Sequence, residues 1–120
     1  MAIKGVHVLL YTPEAEQLRA ALRDALGWDD YVDNGGGWLI FALPPAELGV
    51  HPSTGDTKHQ LTLMCDDLDE TAAELRAKGL EIRGDPEEES FGITTTLVLP
   101  GGVEVMLYQP THASPLAEFS

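Results

Sequence analysis

Two glutamates, Glu47 and Glu104, hold matching places in two similar stretches of this sequence. The stretches cover residues 46–51 and 103–108, both have the pattern of a strand, and a proline lies just beyond each. Glutamate is disfavoured in a half-buried strand, so a carboxylate that faces the same way from two strands is unusual. Carboxylates that converge in this way are suited to binding a divalent metal ion or to moving a proton.

A second pair of polar candidates lies in the strands that open the two halves. Residues 6–11 and 59–65 alternate between side chains of two kinds, as a strand with two different faces does. An offset of 52 residues pairs His7 with His59, whereas an offset of 53 pairs His7 with Gln60. We favour the offset of 53, because it keeps the apolar residues of both strands on one face and Gln60 on the face of His7.

A helix follows each opening strand. In the first half, Thr12 offers an N-cap hydroxyl, Pro13 suits the first helical position, and apolar residues recur at helical spacing up to Gly27. In the second half, two aspartates at 66–67 precede the helix and Gly79 ends it. These helices are expected to cover the apolar face of the strands.

Three further strands are predicted after each helix, so the order βαβββ occurs twice. We therefore predict one α+β domain of two modules, residues 1–52 and 59–110, followed by a loose tail at 111–120. The predicted strands cover residues 31–32, 38–43 and 47–51 in the first module and 80–83, 93–99 and 103–108 in the second, with an acidic loop at 85–89.

The chain resembles the vicinal-oxygen-chelate superfamily, which contains glyoxalases, bleomycin-resistance proteins and ring-cleaving dioxygenases. The resemblance rests on residues 7–28 for a first module, 60–79 for a second and 100–108 for a closing hairpin. It implies paired βαβββ modules whose mixed sheet curls into a cup, with helices on the outside and a divalent metal ion inside.

The resemblance also implies the site residues: the metal ligands would be His7, Glu47, Gln60 and Glu104, and the two glutamates would also be catalytic. Such a mixed set of oxygen and nitrogen ligands suits Zn, Ni, Mn, Co or Fe(II). The metal would act as a Lewis acid on adjacent oxygens of a substrate while a carboxylate serves as base. An ungapped match from Pro100 places Met106 rather than Glu104 at the ligand position, and both alternatives stay open.

Two classes of function follow from the resemblance. The first is a small-molecule metalloenzyme of the glyoxalase or dioxygenase type, an isomerase, lyase or dioxygenase. The second is a metal-free binding protein that sequesters a drug or metabolite. The pair Glu47 and Glu104 favours the enzyme, whereas the acidic charge favours a binder of a cationic ligand.

Charge and composition exclude several partners. Twenty acidic residues against seven basic ones give a formal net charge of −13, which repels nucleic acid and anionic lipid. The single cysteine, Cys65, cannot form an intramolecular disulfide, and no export signal or membrane span is visible, so a cytoplasmic protein is expected. A homodimer is expected as well, because open cups leave sheet edges to be covered, with an apolar interface drawn from Trp28, Trp38, Phe91 and residues 116–119.

Overall fold

The computed structural model describes residues 6–36, 39–50, 52, 54–55 and 58–119. They form an α+β structure with two α-helices, a two-stranded sheet and a four-stranded sheet. In chain order the elements are α1 (Ala15–Asp24), β1 (Tyr31–Asp33), β2 (Leu39–Phe41), β3 (Thr62–Met64), α2 (Leu68–Ala77), β4 (Glu81–Glu89), β5 (Gly92–Leu99), β6 (Val103–Pro110) and a 3-10 turn, Ala117–Phe119.

The four-stranded sheet is mixed and has the order β3-β6-β5-β4. β3 runs parallel to β6, with Leu63 opposite Leu107 and Met64 opposite Tyr108. The other neighbours are antiparallel. Because strand side chains alternate between faces, Met64 and Tyr108 share one face of the sheet, and Leu63 and Leu107 share the opposite one.

The turn between β5 and β6 shows why the sequence closes a hairpin there. Gly101 and Gly102 both have positive φ, 87° and 73°, which other residues adopt only with strain. Gly101 also meets the side chain of Thr12, which would lie 2.0 Å from an added Cβ atom. The turn therefore contacts the segment that leads into α1.

The second helix is capped by two side chains. The carboxylate of Asp67 accepts a hydrogen bond from the Glu70 amide at 3.0 Å, and Gln109 Oε1 accepts one from the Leu68 amide at 2.9 Å. Both amides lie in the first turn, where a helix has no internal acceptor for them. Since Gln109 belongs to β6, this contact also fixes the helix on the sheet.

Both helices contribute to one hydrophobic core with the four-stranded sheet. Lys78, just beyond α2, donates from Nζ to the carbonyl oxygen of Ala25 at 3.2 Å and so joins the ends of the two helices. Each helix places its apolar residues on the face that covers the sheet. The buried core consists of Leu18, Leu22, Cys65, Leu68, Ala72, Leu75, Ile82, Leu97, Leu99, Val105 and Leu107.

Two predicted strands of the first module have no ladder partner among the described residues. Residues 6–11 and 44–50 are irregular, and His51 lies outside the described residues, as does Trp38. Val6 and Leu48 are each 91% exposed. A strand needs a neighbour for its backbone groups, and the rest of the described chain offers none at these two segments.

One predicted loop is a strand, so that prediction is wrong. Residues 85–89 belong to β4, which pairs with β5 on both sides of a bulge between Arg83 and Glu87. Gly84 provides the positive φ of 79° at this bulge. The acidic side chains suggested a solvated loop, but an edge strand accommodates them equally well because one side of it faces water.

Within the described ranges, no helix is long and apolar enough to cross a membrane.

Candidate functional site

A cavity of about 1490 Å³ opens along the outer edge of β3, which has no neighbouring strand on that side within the described residues. Its walls come from the end of α1, the irregular segment 43–50, β3, one side of α2 and the C-terminal segment. The lining is apolar over much of its extent, with Leu26, Trp28, Leu48, Val50, Met64 and Phe119 among its members. Typical ligand pockets measure about 300–1,000 Å³, so this cavity has room for a drug-sized molecule and for an additional segment of chain.

Glu47 places a carboxylate in this cavity. Its side chain is only 17% exposed. Ser114 donates its hydroxyl to Oε2 of Glu47 at 2.5 Å, and Nε2 of His112 lies 3.7 Å from Oε1. Both partners belong to the C-terminal segment. Two parts of the cavity wall, the segment 43–50 and the C-terminal segment, therefore meet at this carboxylate.

Tyr108 lies beside the same carboxylate. Burial raises the pKa of the Tyr108 hydroxyl, and the charge of Glu47 and a hydrogen bond with it raise that pKa further. The ring of Phe91 packs edge-on against Tyr108, with 5.8 Å between the ring centres. Tyr108 is therefore a neutral phenol whose single hydroxyl hydrogen lies between Glu47 and His112.

The ring of His112 completes the cluster. Nδ1 donates to the carbonyl oxygen of Ala113 at 2.8 Å, since a carbonyl oxygen can only accept. Nε2 lies 3.3 Å from the Tyr108 hydroxyl and faces Glu47. Glu47, Tyr108, His112 and Ser114, called the Glu47 cluster below, thus form one hydrogen-bonded group on the wall of the cavity.

The four predicted metal ligands do not meet in this chain. Glu47 and Gln60 both line the cavity, whereas His59, the alternative to Gln60, is exposed and lies outside the lining. His7 is exposed in the unpaired N-terminal segment. Glu104 is exposed on β6, where it forms an ion pair with Arg83.

Within the described residues of one chain, the predicted ligands are not gathered into a metal centre. No group of three or more His, Cys, Asp or Glu side chains that could hold a metal ion is found among the described residues. The carboxylate of Glu47 is engaged by the C-terminal segment, and that of Glu104 by a guanidinium. Met106 shares the sheet face of Tyr108 but brings only a thioether, a ligand for soft metals.

Sequence reasoning missed three members of the Glu47 cluster. His112 and Ser114 fall in the segment predicted as a loose tail, and no motif or spacing marks them. Tyr108 did have a signal, because the internal repeat aligns it with His51, next to the matched glutamates. The alignment predicts that Tyr108 points to the same side of its strand as Glu104. Nothing in the sequence links Tyr108 with residues 111–120.

Cys65 also lines the cavity, but it is not a nucleophile at neutral pH. Its thiol is buried and points at the carbonyl oxygen of Tyr108, 3.5 Å away. Burial raises the pKa of this thiol to about 11. Reactive cysteines have low pKa values, so Cys65 is a packing residue.

Comparison with solved structures identifies the fold. The antibiotic-binding protein TnmS3 from Streptomyces sp. CB03234 superposes with a TM-score of 0.66 at 23% identity, over 92% of this chain and 99% of that one. Lactoylglutathione lyase from Agrobacterium tumefaciens gives a TM-score of 0.62 at 15% identity, over 91% and 95% of the two chains.

A member of the glyoxalase/bleomycin resistance protein/dioxygenase superfamily from Sphaerobacter thermophilus also gives a TM-score of 0.62, at 19% identity, over 91% of this chain and 99% of that one. No protein-family model matches the sequence, and no curated protein matches it. The assignment of the fold therefore rests on structural similarity, which spans almost the whole length of each chain.

Proposed function

Because the chain has the glyoxalase/bleomycin-resistance/dioxygenase fold, we propose that it is a binding protein that sequesters a small, largely apolar, cationic molecule in the cavity beside β3. The observation that carries this proposal is the environment of Glu47. Its carboxylate is mostly buried, and within the described residues no lysine or arginine forms an ion pair with it. Among these residues, the nearest possible cation is His112, which carries a charge only when it is protonated, so this mostly buried carboxylate favours a ligand with a permanent positive charge.

The rest of the cavity supports the same ligand chemistry. Its apolar lining would bury the body of a drug-sized molecule, at about 25 cal/mol for each Å² of apolar surface removed from water. The net charge of −13 attracts cations over a longer range. Among the structures of the same fold is a protein described as antibiotic-binding, so this fold can serve for binding a small molecule.

Fluorescence titration with two dyes tests the proposal. 9-Aminoacridine is an aromatic cation and Nile red is a neutral molecule of comparable size. We expect Glu47→Gln to weaken 9-aminoacridine binding by about tenfold or more, since a charge-assisted hydrogen bond is worth about 1.5–3 kcal/mol. Nile red binding should stay within about twofold, because the apolar lining is unchanged.

Glu16→Gln is the matched control, since it removes the same charge from the exposed first turn of α1. If Glu16→Gln and Glu47→Gln weakened the cationic dye equally, net charge rather than the site would be responsible. Equal affinity of the wild-type protein for both dyes would overturn the cationic preference.

A second candidate is the metalloenzyme implied by the sequence resemblance. It is favoured by one observation, that two of the four predicted ligands, Glu47 and Gln60, line the same cavity. Elemental analysis after purification, followed by titration with Ni, Zn, Mn and Co, distinguishes the two functions. A metal-binding protein would lose affinity for the ion on Gln60→Ala but not on His59→Ala, whereas the sequestering protein would show no stoichiometric metal.

We also propose that the protein is a homodimer, in which residues 6–11 of one copy add as a strand to the free edge of β3 in the other. These residues alternate as a strand does and expose Val6, Val8 and Leu9. The chain exposes 8770 Å², against about 6,300 Å² for a folded monomer of its size. Such pairing would also bring His7 of the second copy towards Gln60.

A further inference from the structure

We propose that residues 111–119 form a strap that binds Glu47 in competition with the ligand of the cavity. This inference rests on the proposed function, because it concerns the same carboxylate. It adds a regulatory element that neither the fold nor the predicted metal site contains. The ligand would have to displace a part of the protein itself, not only water.

The strap donates a hydrogen bond to one oxygen of the Glu47 carboxylate and places a ring nitrogen beside the other. The Ser114 hydroxyl donates to Oε2 at 2.5 Å, and Nε2 of His112 approaches Oε1 at 3.7 Å. An ammonium group in the cavity would need the same oxygens. The strap and a cationic ligand are therefore alternatives at Glu47.

The strap is also held at its root, and local hydrogen bonds order the part beyond it. At the root, the Thr111 amide donates to the carbonyl oxygen of Phe91 at 2.9 Å. Further along, the Leu116 amide donates to Ser114 Oγ and the Phe119 amide to the carbonyl oxygen of Leu116, each at 3.1 Å. Ser114 thus serves both as the donor to Glu47 and as the acceptor that begins the final turn.

The end of the strap forms part of the cavity wall. Phe119 and Glu118 both line the cavity. Release of Ser114 and His112 from Glu47 would remove this wall and widen the entrance. Because only the open form can bind, the apparent affinity for a ligand is reduced in proportion to the population of that form.

Variants of the strap test the competition with 9-aminoacridine as the probe. Ser114→Ala removes the hydroxyl, and His112→Phe removes the ring nitrogens but keeps an aromatic ring beside Tyr108. We expect the double variant to bind the dye about tenfold more tightly than the wild type, because the strap no longer competes for Glu47. Ser90→Ala, in the exposed turn between β4 and β5, is the matched control and should leave dye affinity unchanged.

Hydrogen exchange of two backbone amides reports the strap directly. The amides of Leu116 and Phe119 should be protected in the wild type and should exchange at least about tenfold faster in Ser114→Ala. Saturating the wild type with 9-aminoacridine should have the same effect on both amides. The amides of β5 and β6 serve as internal references, since the strap does not form their ladder.

The outcomes separate the strap from the proposed function. The strap proposal is wrong if the dye binds the wild type without faster exchange of the Leu116 and Phe119 amides. It is also wrong if the double variant binds the dye with unchanged affinity. Failure of wild type and variants alike to bind 9-aminoacridine overturns the proposed function. In that case, faster exchange of the Leu116 and Phe119 amides in Glu47→Ala, which leaves the Ser114 hydroxyl in place, would still support the contact between the strap and Glu47.

Discussion

The thiol of Cys65 shows how burial alone sets the chemistry of a single residue. It lies in the core beside the carbonyl oxygen of Tyr108, and burial is the main reason why its pKa rises from 9.0 to about 11. Two neighbouring aspartates, Asp66 and Asp67, raise the pKa a little further, and a hydrogen bond with Thr71 opposes the rise. The folded protein therefore disfavours the thiolate.

We predict that Cys65 reacts slowly with a disulfide reagent in the native protein. At pH 8 the rise of the thiol pKa from 9.0 to about 11 lowers the thiolate fraction about 100-fold relative to the unfolded chain. The measurement is the rate of thionitrobenzoate release, with the urea-unfolded protein as reference. Equal rates in the two states would contradict the assigned burial.

The same shift predicts a loss of stability in alkaline solution. A raised thiol pKa means that the folded state holds its proton more tightly, so the stability from Cys65 is complete below about pH 9 and is lost as the pH rises towards 11. Urea unfolding of wild type and Cys65→Ala at pH 8 and pH 10.5 measures it. The difference between the two proteins should change in favour of the variant at the higher pH, and parallel pH profiles would refute the prediction.

At the scale of an element, α2 depends on its N-terminal cap. Asp67 accepts from the Glu70 amide, and the neighbouring Asp66 is exposed. Asp67→Ala should destabilise the protein by about 1 kcal/mol and lower Tm by roughly 3–6 °C. Calorimetry of Asp67→Ala measures this effect, and Asp66→Ala is the control, because it removes the same charge without removing the cap. Equal shifts in Tm for the two variants would show that the cap contributes nothing.

The helices and the second module could be predicted from the sequence because their signals are local. The aspartates at 66–67, the glycine at 79 and the Pro100-Gly101-Gly102 turn mark ends that the structure places within a few residues. Two strands of the first module, predicted at residues 6–11 and 47–51, are different, since residues 6–11 and 47–50 are irregular in the structure. Residues 6–11 have the alternation of a strand, but alternation does not tell whether the partner strand belongs to the same chain.

The candidate site could be predicted only in part. Glu47 was found because the repeat pairs it with Glu104, and Gln60 because the faces of the opening strands selected the register. Ser114 lies 67 residues from Glu47 in sequence, and its contact depends on how the tail folds back. Arg83 likewise pairs with Glu104 across the sheet, a contact that only the register of β4, β5 and β6 creates.

At the scale of the whole molecule, the exposed apolar segments lead to a prediction about mass. Val8 and Leu9 are 43% and 55% exposed, and the chain presents about 2,400 Å² more surface than a folded monomer of its size. A specific interface buries about 800 Å² on each partner. We therefore expect light scattering at micromolar concentration and moderate salt to give the mass of a dimer.

A single added charge should weaken this association. Val8→Asp places a carboxylate within the strand that is proposed to pair, and we expect it to raise the dissociation constant about tenfold or more. Val32→Asp, on the exposed strand β1, is the control for the charge alone. A wild-type protein that stays monomeric at these concentrations would show that the dimer proposal is wrong.

The two edges of the four-stranded sheet differ in a way that limits how far assembly can go. The β4 edge carries Pro86, which has no amide hydrogen, and the carboxylates of Asp85 and residues 87–89. Another acidic strand would be repelled there, whereas the β3 edge has no such protection. Strand addition to this sheet is therefore favoured at the β3 edge, which is the edge that the proposed dimer uses. In the proposed dimer, the acidic β4 edge of each copy would oppose the addition of further strands and so protect the protein from growing into fibres.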